Sequence, residues 1–307
     1  SLACALANSI ETLTVARAVQ ALGAGAGPLI GRAVIRDVYG AEGTGRMMGL
    51  VMGFFGVGAV VTPIVGGLLV DALGWRANFY FAAAYGAVLL ATVAVLMPET
   101  MPARAAGTRL TGVGRGFGIL LSDRRFIVVA ASGCLVAAGM FCWIAGSSFA
   151  VQNVFGYSAA AHGAIYAATI AGFVIMSLIT AHLAPRIGSY RVLTIGSLIA
   201  ATGGLAGLAL GLGTALSLVP MLFAVAVMAM GHGFTLPQSM AASVAPFPHL
   251  AATASALFGF MNFGFNSVVV MLNGMLYDGT VVPMLAIIAG LTAAGALLYA
   301  SFRPRNI

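Results

Sequence analysis

Phe126-Ile-Val-Val-Ala-Ala-Ser-Gly-Cys-Leu-Val-Ala-Ala-Gly-Met-Phe-Cys-Trp-Ile-Ala-Gly-Ser-Ser-Phe149 runs for 24 residues without a charge. As a helix it is about 36 Å long, enough to cross the roughly 30 Å hydrocarbon core of a bilayer. Strand spans would be half as long, so length alone predicts a helix. Working outward, eight more apolar stretches of this size follow the same reading: 11–33, 46–70, 78–97, 160–183, 190–211, 218–241, 251–274 and 280–302. Residues 1–7 are apolar too, but they stop at Asn8-Ser9 and are too short to span; they read as the tail of a helix that begins upstream.

The composition agrees. Of 307 residues, 61% are hydrophobic and 7% charged, with a mean hydropathy of +1.06. A soluble domain carries about 25% charged residues, so a water-facing surface, disorder and a disulfide scaffold are all excluded. The net charge of +7 comes from 14 arginines, with no lysine, against 7 acidic residues. Nucleic acid is not the implied partner, because the arginines are interspersed with apolar spans and sort by side. Alternate loops and ends collect Arg32, Arg36, Arg46, Arg104, Arg109, Arg115, Arg124, Arg125, Arg186, Arg191, Arg303 and Arg305. The opposite side has Arg76 alone, and Arg17 lies within a span. Positive charge stays inside, so the rich side is cytoplasmic and the C-terminus lies there. Cys134 and Cys142 are about 12 Å apart along one helix, too far for a disulfide.

Residues 98–125, with two prolines and five arginines, read as a cytoplasmic linker. Six spans follow it, in a 126–307 bundle, and three spans with a tail precede it, in a 1–97 bundle. If the two bundles are repeats, the first is short by about two and a half spans. The expected plan is an N-terminally truncated twelve-span protein of 6 + 6 helices.

Specific motifs stand in the first hundred residues. Arg17-Ala-Val-Gln20-Ala21-Leu-Gly23-Ala-Gly25 resembles the R-x-x-Q-G-x-G motif of the fourth helix in major facilitator drug/proton antiporters, with Ala21 for the first glycine. Gly49, Gly58, Thr62, Pro63, Gly66 and Gly67 resemble the fifth-helix antiporter motif G-(x8)-G-(x3)-G-P-(x2)-G-G, with Thr62 for one glycine. Gly74-Trp75-Arg76, then Phe79, resembles the turn that usually follows that motif, and Arg36-Asp37-Val-Tyr39 and Pro98-Glu99-Thr100 are similar to the bicyclomycin/chloramphenicol-type (Bcr/CflA) efflux branch. The resemblance implies an all-α major facilitator fold lacking helices 1, 2 and most of helix 3. It places the usual proton-carrying acid on the missing helix 1. It also implies a secondary exporter of small lipophilic drugs, coupled to proton entry by alternating access, monomeric, in a bacterial inner membrane.

The candidate site residues follow. Arg17 at bilayer depth costs at least about 2.5–3.5 kcal/mol unless it meets a wet cavity or a partner. With Gln20 it is the candidate for proton coupling or a cavity charge; the competing reading is an arginine snorkelling to the interface. The small residues Gly49, Gly58, Thr62, Pro63, Gly66 and Gly67 suit a tight, kinked seal, or ordinary close helix packing. Phe141, Trp143, Ser147 and Ser148 are placed along the substrate cavity by the resemblance, where aromatic faces and hydroxyls suit weakly polar drugs. His232, Asn262 and Asn266 join them as cavity candidates, or serve as polar glue between helices. No His/Cys/Asp/Glu set has metal-ligand spacing, and no nucleophile elbow, P-loop or His-Glu-x-x-His is present. The sequence therefore implies no enzyme, metal or cofactor. A same-fold permease for a sugar or other metabolite, and a non-transporting membrane protein, are the alternatives.

Overall fold

The computed structural model describes residues 1–97, 113–213 and 217–301, with the side chains of 26–53 and 113–115 described in part. Their regular structure is helical: α1 (Leu2–Ala5), α2 (Ile10–Leu73), α3 (Arg76–Leu96), α4 (Val113–Ser122), α5 (Arg124–Ser148), α6 (Ala159–Ile187), α7 (Ser189–Leu212), α8 (Leu218–Val244), α9 (Ala251–Met275) and α10 (Val282–Ser301). Among the described residues, eight helical segments are long and apolar enough to cross a membrane. The chain is an all-α polytopic membrane protein.

The helices differ from the expected spans at two places, and part of the stretch expected as a linker is helical. The spans at 11–33 and 46–70 are one continuous helix of 64 residues, α2. At about 96 Å it is some three hydrocarbon cores long. The charged stretch at 32–46 does not end the helix because charge alone breaks no backbone bond, and no proline stands between Pro28 and Pro63. The linker expected over 98–125 contains a helix, α4, in its last part; residues 98–112 lie outside the described residues. The span expected to end at Phe149 continues as a wider π turn, Phe149–Val154, with Phe155 N–H donating to the Ala150 carbonyl at 3.0 Å. Gln152 and Asn153 stay helical because nothing breaks the backbone before Gly156, whose φ of +74° favours glycine.

The chain divides into two compact units. The second comprises Leu110–Ser158 and Ile165–Ile307. In it α8, α9 and α10 pack on α5, and α7 packs on α8 and α10. Trp143 is fully buried in a cluster with Met221, Met228, Leu285 and Ile288. Phe126 forms another with Leu120, Ala254, Leu257 and Phe258, which docks α4. Helix α7 fits because its facing residues lack side chains. A Cβ at Gly196 would lie 2.7 Å from Thr235 Oγ1 on α8, and one at Gly211 would lie 2.7 Å from Leu285 Cδ1 on α10. Van der Waals contact between backbones drives such packing where lipid offers no hydrophobic contrast. Ser132 donates to the Gly295 carbonyl at 2.9 Å, a buried tie from α5 to α10. Large apolar side chains such as Phe223, Phe260, Phe263 and Leu297 are exposed, as a lipid-solvated surface requires. Between α9 and α10, the Thr280 hydroxyl and amide donate to Asp278 and hold its carboxyl below the usual range.

The first unit comprises Ser1–Arg109 and Ala159–Ala164. Ser9 and Thr12 cap α2 reciprocally: Thr12 N–H donates to Ser9 Oγ at 3.3 Å and Ser9 N–H to Thr12 Oγ1 at 3.2 Å. Gly74, at φ +79°, turns α2 into α3. Arg76 then donates to the Ala7 carbonyl at 3.0 Å and lies over the Trp75 ring at 4.4 Å, tying α3 to the segment after α1. No residue of α3 is fully buried.

Candidate functional site

In the first unit, α2 carries Arg17 and Gln20 three residues apart, on the same side of the helix. Arg17 Nη1 donates to Gln20 Oε1 at 2.6 Å, and Gln20 Nε2 donates to Ser1 Oγ at 2.6 Å. The guanidinium also lies 5.8 Å from the Phe79 ring centroid. Arg17 is exposed, and its head is held by neutral groups. Both residues line an open groove of about 1310 Å³ with Asn8, Ser9, Glu11 and Thr12. Most of the groove's lining is apolar (Leu6, Val15, Val19 and several alanines), and its polar groups gather around Arg17, Gln20 and the Asn8–Thr12 turn, where an open groove leaves the charge accessible to water.

The fifth-helix motif divides. The Gly49 side is outside the described side chains. A Cβ on Gly58 would meet nothing within 4 Å, and Thr62 is exposed. A Cβ on Gly66 would touch the Asn78 amide at 3.7 Å. Gly67 is the tight position: a Cβ there would lie 2.5 Å from the Ala159 carbonyl, and one on Gly163 would run into the Pro63 carbonyl. One turn beyond Gly67, Asp71 accepts from the amides of Ala159 at 3.0 Å and Ala160 at 2.9 Å. Neither Asp71 nor Gly163 was singled out by sequence. The available signal was a carboxylate closing a glycine-rich stretch, four residues after Gly67.

In the second unit, the cavity candidates lie on α5, α8 and α9. Trp143 is fully buried, and His232 and Asn266 are 4% and 3% exposed. His232 stacks on Phe173 at 4.8 Å between centroids. Asn266 Nδ2 reaches Asn262 Oδ1 at 3.5 Å. Among the described residues, Trp143 Nε1, His232 Nδ1 and Asn266 Oδ1 have no hydrogen-bond partner. Ser147 is buried and donates to the Ile144 carbonyl at 3.3 Å, while Phe141, Ser148 and Asn262 are half-buried. No group of three or more His, Cys, Asp or Glu among the described residues could hold a metal ion.

Comparison with known proteins gives the family. The Major Facilitator Superfamily model matches residues 1–271. The "uncharacterized MFS-type transporter YdgK" of Bacillus subtilis is 28% identical over 304 residues, covering 97% of this chain and 75% of that protein. The "bicyclomycin resistance protein homolog" of Haemophilus influenzae is 23% identical over 301 residues, covering 98% of this chain and 75% of that protein. The crystal structure of a bacterial homolog to the human lysosomal transporter Spinster, inward-facing and occupied, superposes with a TM-score of 0.75 at 16% identity, covering 97% of this chain and 78% of that one. Eight apolar spans, small-residue helix contacts and a match across most of the sequence agree: the chain belongs to the major facilitator superfamily of membrane transporters.

Proposed function

We propose that this transporter exports small lipophilic drugs in exchange for protons, by alternating access. The observation that carries the reading is the set of three buried polar atoms without partners, Trp143 Nε1, His232 Nδ1 and Asn266 Oδ1. An unsatisfied buried group costs about 1–3 kcal/mol. A substrate that brings an acceptor to Trp143 or a donor to Asn266 recovers part of that cost, and apolar neighbours suit an apolar body: Met228 and Met284 share the cluster of Trp143, and Phe173 stacks on His232. Ser147, Ser148, Phe141 and Asn262 complete this proposed cavity. Arg17 and Gln20 supply the proposed coupling charge, and Gly49, Gly58, Thr62, Pro63, Gly66 and Gly67 the proposed seal. The relative named for bicyclomycin resistance supports drugs over metabolites as cargo. The bacterial relatives support a bacterial inner membrane and the arginine distribution a cytoplasmic C-terminus, and we assign transport to the monomer.

The test is accumulation of a labelled phenicol in a sensitive host. Expression should lower accumulation, an uncoupler should abolish the effect, and Trp143→Phe should weaken it while leaving the amount of inserted protein unchanged. Accumulation equal to the empty-vector control, or raised above it, overturns the reading.

A further inference from the structure

Helix α6 begins in an unusual way. Its first residues, Ala159–Ala164, cluster with the first unit, while Ile165 and the rest of the helix cluster with the second. What holds this start is visible within the first unit. Both oxygens of Asp71 are engaged, Oδ1 by the Ala159 amide at 3.0 Å and Oδ2 by the Ala160 amide at 2.9 Å. The first amides of a helix have no partner within it, and they carry the positive end of its dipole. A carboxylate is the side chain best matched to both. The donors lie 88 and 89 residues along the chain from Asp71, so this is a tertiary contact and not local capping. Beside it the backbones touch: Gly67 faces the Ala159 carbonyl, and Gly163 faces Pro63. A glycine at 67 lets the Asp71 carboxylate come within hydrogen-bond reach.

We propose that Asp71 is a releasable clasp on the first turn of α6, and that the strength of this cap sets how readily that turn leaves the first unit during transport. The contact suits release. Asp71 is exposed, so water can replace the two amides when they part, and a charge-assisted bond to amides re-forms as soon as the helix end returns. Apolar packing alone would hold the turn without such a replacement partner. The proposal does not rest on the nature of the cargo.

The experiment reads opening directly. A single cysteine replaces Ala160, and the rate of its reaction with N-ethylmaleimide is measured in intact cells. Cys4, Cys134 and Cys142 are fully buried, so their background is low. Asp71→Ala should raise the rate by about five-fold, the usual weight of a lost cap. Asp71→Asn, which keeps one acceptor oxygen, should fall between. Gly67→Ala, which pushes a methyl against the Ala159 carbonyl, should raise the rate by a separate route. An unchanged rate in Asp71→Ala overturns the clasp. If that variant fails to insert, an unchanged rate in Asp71→Asn does so. Labelling is read without substrate, so failure of the drug-export reading leaves this result standing, and the reverse.

Discussion

Arg17 is a full positive charge whose observed partners are the Gln20 amide and the face of Phe79. Neutral partners orient a guanidinium without cancelling it, so the site keeps the capacity to attract a carboxylate or an anion. Replacing Arg17 with Ala should abolish drug-dependent proton movement in reconstituted vesicles while leaving the amount of inserted protein within a factor of about two, since exposed surface changes cost little. Proton movement at the parental rate would remove Arg17 from the coupling role. The residue itself was legible, because a charge in an apolar span is conspicuous. Its surroundings were not. Gln20 reaches Ser1, 19 residues away, and Asp71 reaches Ala159, 88 residues away. Side-chain partnerships at such separations leave no periodic trace in a sequence. Trp143, His232 and Asn266 illustrate the same limit. Their positions on spans were plain, but the lack of partners for their polar atoms emerged only from packing.

Helices were the most legible level. From α5 to α10 the ends fall within a few residues of the apolar stretches, because a bilayer penalises an unpaired backbone and so fixes both the type and the length of each element. Where hydropathy and backbone chemistry disagree, backbone chemistry decides. The charged stretch 32–46 looked like a loop, yet without proline it remained helical in α2. The glycines of α7 and α8 were not singled out in the sequence, and their partners emerge only from the packing. Gly231 now explains itself: a Cβ there would lie 2.6 Å from the Gly196 carbonyl and 2.7 Å from Ala200 Cα. Gly231→Val forces α7 and α8 apart. Overpacking of this kind costs about 1–3 kcal/mol. The expected outcome is a reduced and broadened monodisperse peak on size exclusion in detergent, with Gly259→Val on α9, where a Cβ meets nothing within 4 Å, as the silent comparison. Equal profiles would mean that the α7–α8 seam tolerates side chains.

At the scale of the molecule, class was legible because the greater part of the sequence is a solvent code, apolar residues where lipid lies and arginine where the chain leaves it, and family was legible from the motif-like stretches at 17–25 and 49–67. The uneven internal packing was not legible, since both units have similar hydropathy. The second unit holds three clusters of buried side chains. In the first, α3 has no fully buried residue, and Phe54, Phe55, Tyr85 and Leu90 all face outward. Cooperative unfolding needs buried contacts that are lost together, so the two units should not melt as one. A calorimetric scan in detergent should resolve two heat-absorption steps, the smaller and cooler one belonging to residues 1–97. A fluorescent reporter on the tail after α10 would register the warmer step alone. A ligand-dependent rise in that signal would therefore report binding by the second unit, and would miss any event confined to the first.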